Sequence, residues 1–206
     1  MNSALHAAGL RVLGGLYEGA DTLYLIGPNG ARFWEFFQQS AEYRSGEADP
    51  VDRYSTRVLT HIAAVTGSAA LFPFGGPPFQ PFVKWALASG RCFQSPLPFL
   101  VHAELGLFTS YRGALRFNGH NQLPKPLPNP CESCAGKPCL SACPAAAVTE
   151  KNYNVAACHK YLDSEAGEDC MAQGCAVRRA CPIGQAERPE AQSAFHMSYF
   201  HKKAAQ

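Results

Sequence analysis

The sequence lacks the signatures of several common protein classes. It contains no G-x-G-x-x-G dinucleotide-binding fingerprint, no phosphate-binding P-loop and no G-x-S-x-G nucleophile elbow. The net charge is only +2, and no basic block accompanies it. No apolar run approaches the roughly 18 residues that would span a membrane. We therefore expect neither a nucleic-acid partner nor a membrane partner.

An export signal is also absent. The N-terminus has no basic start followed by an uninterrupted apolar run, so we expect residues 3–17 to form an amphipathic helix rather than a signal peptide. Nine cysteines in a chain of 206 residues without such a signal point to a reducing compartment, where clustered thiols more often bind metal than form disulfides. We expect a cytoplasmic protein.

Cysteine is scarce in the first 130 residues and frequent after them. Cys92 stands alone there, and we expect it to be a small buried hydrophobic residue. The other eight lie between positions 131 and 181, after a segment with prolines at 124, 126, 128 and 130 that resists helix and strand formation. This shift predicts a scaffold domain over 1–122, a cysteine-rich module over 123–186 and a C-terminal helix over 187–206.

Patterns in the first domain predict helices mixed with short strands. TLYLIG, 22–27, is typical of a strand, and ARFWEFFQQSAEY, 31–43, favours a helix. A further helix begins at Pro50, and five residues recur at steps of three and four that indicate one buried face: Val51, Tyr54, Val58, Ile62 and Val65. The predicted fold class is therefore α/β, or alternatively α+β.

The spacing of the eight clustered cysteines is the most specific pattern in the sequence. The first group reads C-x2-C-x4-C-x3-C-P, and the second group also ends in a Cys-Pro pair, Cys181-Pro182. In the bacterial ferredoxin pattern, the cysteine before proline binds the other of two iron–sulfur clusters. We therefore predict two [4Fe-4S] clusters, the first held by Cys131, Cys134, Cys139 and Cys181, and the second by Cys143, Cys158, Cys170 and Cys175.

Two local features accompany these ligands. Asn154 is placed to cap a short helix that carries Cys158. The AGKP segment, 135–138, adds two residues to the usual gap between cysteines, and we expect Lys137 and Pro138 to form a small outward loop.

Two other readings of the eight thiols remain open. Two structural zinc sites use the same ligand type, and disulfides or free thiols are the third choice. Zinc motifs typically come as paired short hooks, which do not explain two Cys-Pro terminators, so the sequence favours iron–sulfur clusters.

The segment CESCAGKPCLSACPAAAV with the four cysteines after it resembles the double-cluster module of epoxyqueuosine reductases. Upstream, LVHAELGLFTSYRGAL, 100–115, resembles the stretch that precedes that module, with His102, Gly106, Phe108 and Gly113 matching and Ala103 in place of a proline. A similar stretch occurs in a cobalamin-processing dealkylase.

The resemblance implies a ferredoxin-like double-cluster module beside a nitroreductase-like layer able to hold cobalamin or a flavin. It places His102 near that cofactor, although a purely structural hydrogen bond is the simpler role for this residue. Three functions follow: an electron-transfer protein with a redox partner protein, a cobalamin- or flavin-dependent oxidoreductase acting on a small-molecule substrate, or a zinc-stabilised binding module. The basic surface of a tRNA enzyme is absent, so we do not expect tRNA modification.

Overall fold

The computed structural model describes residues 1–203. The chain forms two compact units. The first comprises Met1–Cys92 and Ser110–Pro128, and the second comprises Phe93–Thr109 and the chain from Asn129 onward. The larger part of the second unit, from Asn129 onward, begins close to position 122, where the scaffold domain was predicted to end. The second unit also includes residues 93–109, which lie more than twenty positions before Cys131.

The elements follow one another along the chain in this order: α1 Asn2–His6, β1 Leu10–Glu18, β2 Asp21–Pro28, α2 Gly30–Gln38, α3 Ala41–Arg44, α4 Pro50–Thr66, β3 Ala69–Leu71, α5 Phe82–Ala88, β4 Cys92–Gln94, β5 Leu100–His102, β6 Gly113–Asn118, α6 Val155–Leu162, α7 Glu168–Gln173, α8 Ala176–Arg179 and α9 Glu190–Lys203. Short 3₁₀ helices cover Pro138–Leu140, Glu165–Gly167 and Gln185–Glu187.

A small antiparallel sheet organises the first unit. Its strands lie in the order β1-β2-β6-β3, and each neighbouring pair is antiparallel. The prediction of a mixed α/β protein is confirmed. Since the sheet is antiparallel, the arrangement corresponds to the α+β alternative rather than to a parallel layer with crossover helices.

The predicted helix over 3–17 is wrong. Only α1 is helical there, and most of the segment forms β1, which pairs along its length with β2. Gly14 and Gly15 lie side by side in this segment and disfavour a helix, and the pairing register shifts between Val12 and Gly14.

Helix α4 has the buried face that its spacing predicts, with one exception. Val51, Tyr54, Val58 and Ile62 are buried, whereas Val65 is 63% exposed. Val65 lies one residue before the end of the helix, and Gly67 closes the helix in a left-handed conformation with φ of 66°. The last turn of α4 therefore faces solvent on the side that the pattern assigns to the core.

The second unit has little regular structure before α6 apart from β5, which pairs with β4. Between Asn129 and Val155 the only helix or strand among the described residues is the 3₁₀ turn Pro138–Leu140. A buried core holds the unit together and includes two of its thiols: Leu97, Val101, Leu107, Cys139, Val148, Val177 and Cys181.

The predicted C-terminal helix over 187–206 is present as α9 from Glu190 to Lys203, and positions 204–206 lie outside the described residues. Ser193 of α9 closely approaches Gly174, the residue that follows α7. Among residues 1–203, no helix combines the length and apolar character required to cross a membrane.

Candidate metal centre

The first group of thiols surrounds one recess. Cys131 and Cys134 lie in the turn that follows the proline segment, Cys139 lies in a 3₁₀ helix, and Cys181 follows α8. All four line a recess of ≈ 370 Å³, a volume that includes the solvent at its mouth. Its other walls include apolar side chains of Val101, Leu107 and Ile183. The recess therefore joins three cysteines of the first motif to the last cysteine of the second.

Electrostatic contacts support the same grouping. Burial raises the pKa of the Cys131 thiol, and the neighbouring thiols of Cys139, Cys181 and Cys134 raise it further. The Lys137 ammonium acts in the opposite direction on the pKa of both Cys131 and Cys139. A positive charge thus lies beside the thiols of the recess.

The AGKP insertion supplies that charge. Residues 135–138 are exposed, in agreement with the predicted outward loop, and Lys137 adopts a left-handed backbone with φ of 39°. Lys137 and Pro138 also line the recess. The insertion therefore forms part of the wall of the recess as well as an external loop.

The second group of thiols gathers around Cys158 on α6. Asn154 caps this helix as predicted, since its Oδ1 accepts a hydrogen bond from the Ala157 backbone N–H at 3.0 Å. Burial raises the pKa of the Cys158 thiol, and three other thiols are close enough to raise it further: those of Cys175, Cys143 and Cys170. The structure thus brings together the four residues that the spacing assigned to the second cluster.

Polar groups point at the sulfurs of the second group. The Ala147 backbone N–H donates to Cys143 Sγ at 3.2 Å. Burial raises the pKa of the Cys170 thiol, and a backbone hydrogen bond from Ala176 acts in the opposite direction. The Tyr153 phenol lies close enough to the Cys158 sulfur to favour the thiolate of Cys158; the pKa of Tyr153 is raised, chiefly by burial and then by Cys158. These donors would stabilise negative charge on sulfur.

Aromatic side chains cover this group. Phe99 packs edge-on against Tyr153 with ring centroids 5.7 Å apart, and Phe200 of α9 lies over both Tyr153 and His159. His159 follows Cys158 in sequence and stacks on His201, whose Nε2 lies 2.8 Å from Asp163 Oδ1. Helix α9 therefore covers the second group of thiols on the side where α6 lies.

Gly106 explains why residues 93–109 belong to the cysteine unit. Its φ is +56°, and a Cβ at this position would lie 2.8 Å from Cys181 Sγ and 2.3 Å from the Ile183 carbonyl oxygen. Only glycine fits this backbone conformation and this close approach together. The turn that contains Gly106 thus packs directly against a predicted cluster ligand.

His102 holds that turn from inside. The side chain is fully buried, its backbone pairs with Gly106, and Nδ1 accepts hydrogen bonds from the backbone N–H groups of Glu104 and Leu105 at 3.1 and 3.3 Å. These contacts suit the structural role that we weighed for His102. Its contact with a corrin or flavin stays a prediction.

The donor sets are those that iron–sulfur clusters use, namely four cysteines each. Among the described residues, no group of three or more His, Cys, Asp or Glu side chains is arranged to hold a single metal ion. That finding concerns single-ion sites, whereas a four-iron cluster binds each thiolate to a different iron of a cube. Cys92 is fully buried, as predicted, and belongs to the first unit.

The comparisons add no relative. No family model matches the chain, and neither a curated protein nor a solved structure shows significant similarity to it.

Three features of the site were not predicted from the sequence: the contact of Gly106 with Cys181, the hydroxyl of Tyr153 at Cys158, and Arg178 near Cys175. Each depends on segments that only the tertiary structure brings together. The resemblance included Gly106, but the sequence did not show that Gly106 packs against Cys181.

Proposed function

We propose that the second unit binds two [4Fe-4S] clusters and that the protein transfers single electrons between a redox partner protein and an acceptor. The first cluster would be held by Cys131, Cys134, Cys139 and Cys181, and the second by Cys143, Cys158, Cys170 and Cys175. One observation carries the proposal. Cys181 shares a recess with Cys131, Cys134 and Cys139, whereas Cys143, only four positions after Cys139, is near Cys158.

A bound [4Fe-4S] cluster accepts and releases one electron at a potential that depends on burial, net charge and hydrogen bonds to sulfur. The chain supplies each of these. Leu107 and Val101 give the first recess apolar walls, and Lys137 places a cation at its edge. At the second group, the Ala147 N–H donates to Cys143 Sγ, and the Tyr153 phenol lies close to Cys158.

The finer fold is part of the same proposal. A ferredoxin-like module and a nitroreductase-like layer are supported by the sequence resemblance and by the mixed α/β composition of the chain. Binding of cobalamin or a flavin would make the protein an oxidoreductase; titration with cob(II)alamin and with flavins, followed by absorption spectra, tests that extension.

Metal and sulfide analysis of anaerobically purified protein tests the central claim. We expect brown protein with about eight irons and about eight acid-labile sulfides per chain. Colourless protein with about two zincs would instead support the zinc-stabilised module and overturn the proposal.

Single cysteine substitutions test the crossed ligand assignment. Cys139→Ala and Cys181→Ala should abolish the same electron paramagnetic resonance signal, and Cys143→Ala should abolish the other. Cys92→Ala is the matched control and should leave the iron content unchanged. If Cys181→Ala removed the same signal as Cys143→Ala, the crossed assignment would be wrong.

A further inference from the structure

Arg178 lies near Cys175 and Tyr153, at the second group of thiols. Its helix, α8, begins directly after Cys175, and the Arg178 backbone N–H donates to the Cys175 carbonyl oxygen at 3.0 Å. The guanidinium sits 4.8 Å above the centroid of the Phe99 ring, and one of its N–H groups donates to the carbonyl oxygen of Leu107. Leu107 in turn lines the recess of the first group.

Within residues 1–203, the charge of Arg178 has no acidic counterpart. Its contacts there are an aromatic face and a neutral carbonyl, and no carboxylate of the described residues forms a salt bridge with it. The side chain is half-buried. Burial lowers the pKa of Arg178, and the nearby Cys175 thiol and Tyr153 phenol raise it. The groups that act electrostatically on the Arg178 cation are therefore Cys175, a predicted ligand of the second cluster, and Tyr153, whose phenol lies close to the predicted ligand Cys158.

The adjacent residue in α8 shows the contrast. Arg179 forms a salt bridge with Asp169, and it also donates to Gln173 Oε1 at 3.2 Å and to the Gly174 carbonyl at 3.0 Å. Arg179 and Asp169 act on the Cys170 thiol in opposite directions. Their effects on that thiol therefore offset each other, whereas the charge of Arg178 is uncompensated.

We propose that the fixed positive charge of Arg178 raises the reduction potential of the second cluster relative to the first. This inference rests on the proposed function. Adding an electron to a cluster adds one negative charge, and a nearby cation stabilises that reduced state. Attraction between charges is strong where water is partly excluded, and the packing of Phe99 and Leu107 around the guanidinium provides such a place.

The consequence concerns where an added electron would reside. The charge of Arg178 would make reduction of the second group more favourable than it would be without that charge. The second group lies beside the aromatic side chains of Phe99, Tyr153 and Phe200, whereas the recess of the first group has a mouth to solvent.

Redox titrations of the purified, cluster-loaded protein test the proposal. The samples are the wild type, Arg178→Gln, Arg178→Lys and the control Arg188→Gln, with dithionite as reductant and electron paramagnetic resonance as readout. The signal of the second cluster is assigned as the one that Cys158→Ser removes. Arg188 is a matched control because its guanidinium also lies over a phenylalanine, 5.1 Å from the Phe108 centroid, and donates to a backbone carbonyl, at 3.2 Å.

Iron and sulfide are counted in every sample first, so that failure of the proposed function is recognised separately as wild-type protein without clusters. We expect Arg178→Gln to shift the second cluster to a more negative potential while the first cluster, Arg178→Lys and Arg188→Gln stay near wild-type values. Loss of the second cluster in Arg178→Gln but not in Arg178→Lys would also support a requirement for the charge. The proposal is overturned if Arg178→Gln leaves the potential unchanged, if Arg178→Lys shifts it equally, or if both Arg178 variants lose the cluster.

Discussion

Glu42 is a buried carboxylate whose charge the first unit depends on. It is 8% exposed, and the Arg57 guanidinium donates to both of its oxygens, with Nη2 3.0 Å from Oε2. The hydrogen bond from Arg57 is the main reason that the pKa of Glu42 falls from 4.5 to about 2, although burial opposes it. The paired, ionised form of Glu42 thus belongs to the folded state.

We predict that Glu42→Gln lowers the free energy of unfolding of the first unit by about 1–2 kcal/mol at pH 7. Because the folded pKa is depressed, the contribution of Glu42 is complete above pH 4.5 and disappears as the pH falls towards about 2. Urea titrations followed by tryptophan fluorescence measure this unit alone, since Trp34 and Trp85 both lie in it.

The control for that prediction is Glu47→Gln. Glu47 pairs with Arg53 at 2.9 Å but is 70% exposed, so its loss should change the stability by less than about 1 kcal/mol. Equal effects of the two substitutions, or a difference that does not shrink in acid, would contradict the role given to Glu42.

Gly106 makes a second prediction at the scale of single residues. Gly106→Ala would place a methyl group against the Ile183 carbonyl and Cys181 Sγ, so we expect loss of the first cluster's iron. Gly136→Ala is the matched control, because Gly136 has φ of +70° but no atom lies within 4 Å of the position that a Cβ would take there. Its cost should be limited to about 1–2 kcal/mol of backbone strain. Full iron content in Gly106→Ala would show that the turn can move away from Cys181.

Residue types and spacing led to a specific hypothesis for the site. The two Cys-Pro pairs predicted a crossed assignment of the eight thiols, because the cysteine before proline serves the other cluster in the ferredoxin pattern, and this assignment stays a prediction. Arg178 could not be predicted in the same way. Its importance depends on Phe99 and Leu107, which lie more than seventy positions earlier and approach only in the folded unit.

Among the elements, α6 couples helix stability to the second group of thiols. Asn154→Ala removes the acceptor at 3.0 Å from the Ala157 N–H and should cost about 1 kcal/mol. We expect hydrogen exchange of the α6 amides to accelerate about fivefold. Asn154→Asp keeps a side-chain acceptor at the same position and should exchange at nearly the wild-type rate; acceleration in both variants would exclude capping as the cause.

Element prediction succeeded where local signals and tertiary contacts agree. In α4, Pro50 at the first turn and a buried face from Val51 to Ile62 identified the helix. In β1, apolar residues fitted a helical spacing, but pairing with β2 decided the conformation. Strand β2 follows β1 after a turn at Gly19, whose φ is +61°. Gly19 is thus a turn signal typical of a hairpin, but the helix prediction gave more weight to the apolar periodicity.

At the scale of the molecule, the two units differ in what stabilises them. The first has a sheet whose strands are paired along their length and a core that includes Phe33, Phe37 and Leu59. The second has a long stretch, from Asn129 to Val155, with almost no helix or strand and with eight thiols gathered within it or after it. The folded conformation of such a stretch requires stabilising interactions other than the hydrogen bonds of helices and strands.

Removing the clusters should therefore unfold the second unit and spare the first. We predict that oxidation with a chelator present abolishes hydrogen-exchange protection in 129–183, because metal binding to the thiols is coupled to folding of the segment that supplies them. The urea midpoint reported by tryptophan fluorescence should be unchanged, since both tryptophans lie in the first unit. Cys92→Ala protein treated in parallel should behave like the wild type. If the second unit kept its protection after all iron had gone, the core of Leu97, Val101 and Leu107 would suffice to fold it, and the clusters would add redox function to a scaffold that is already stable.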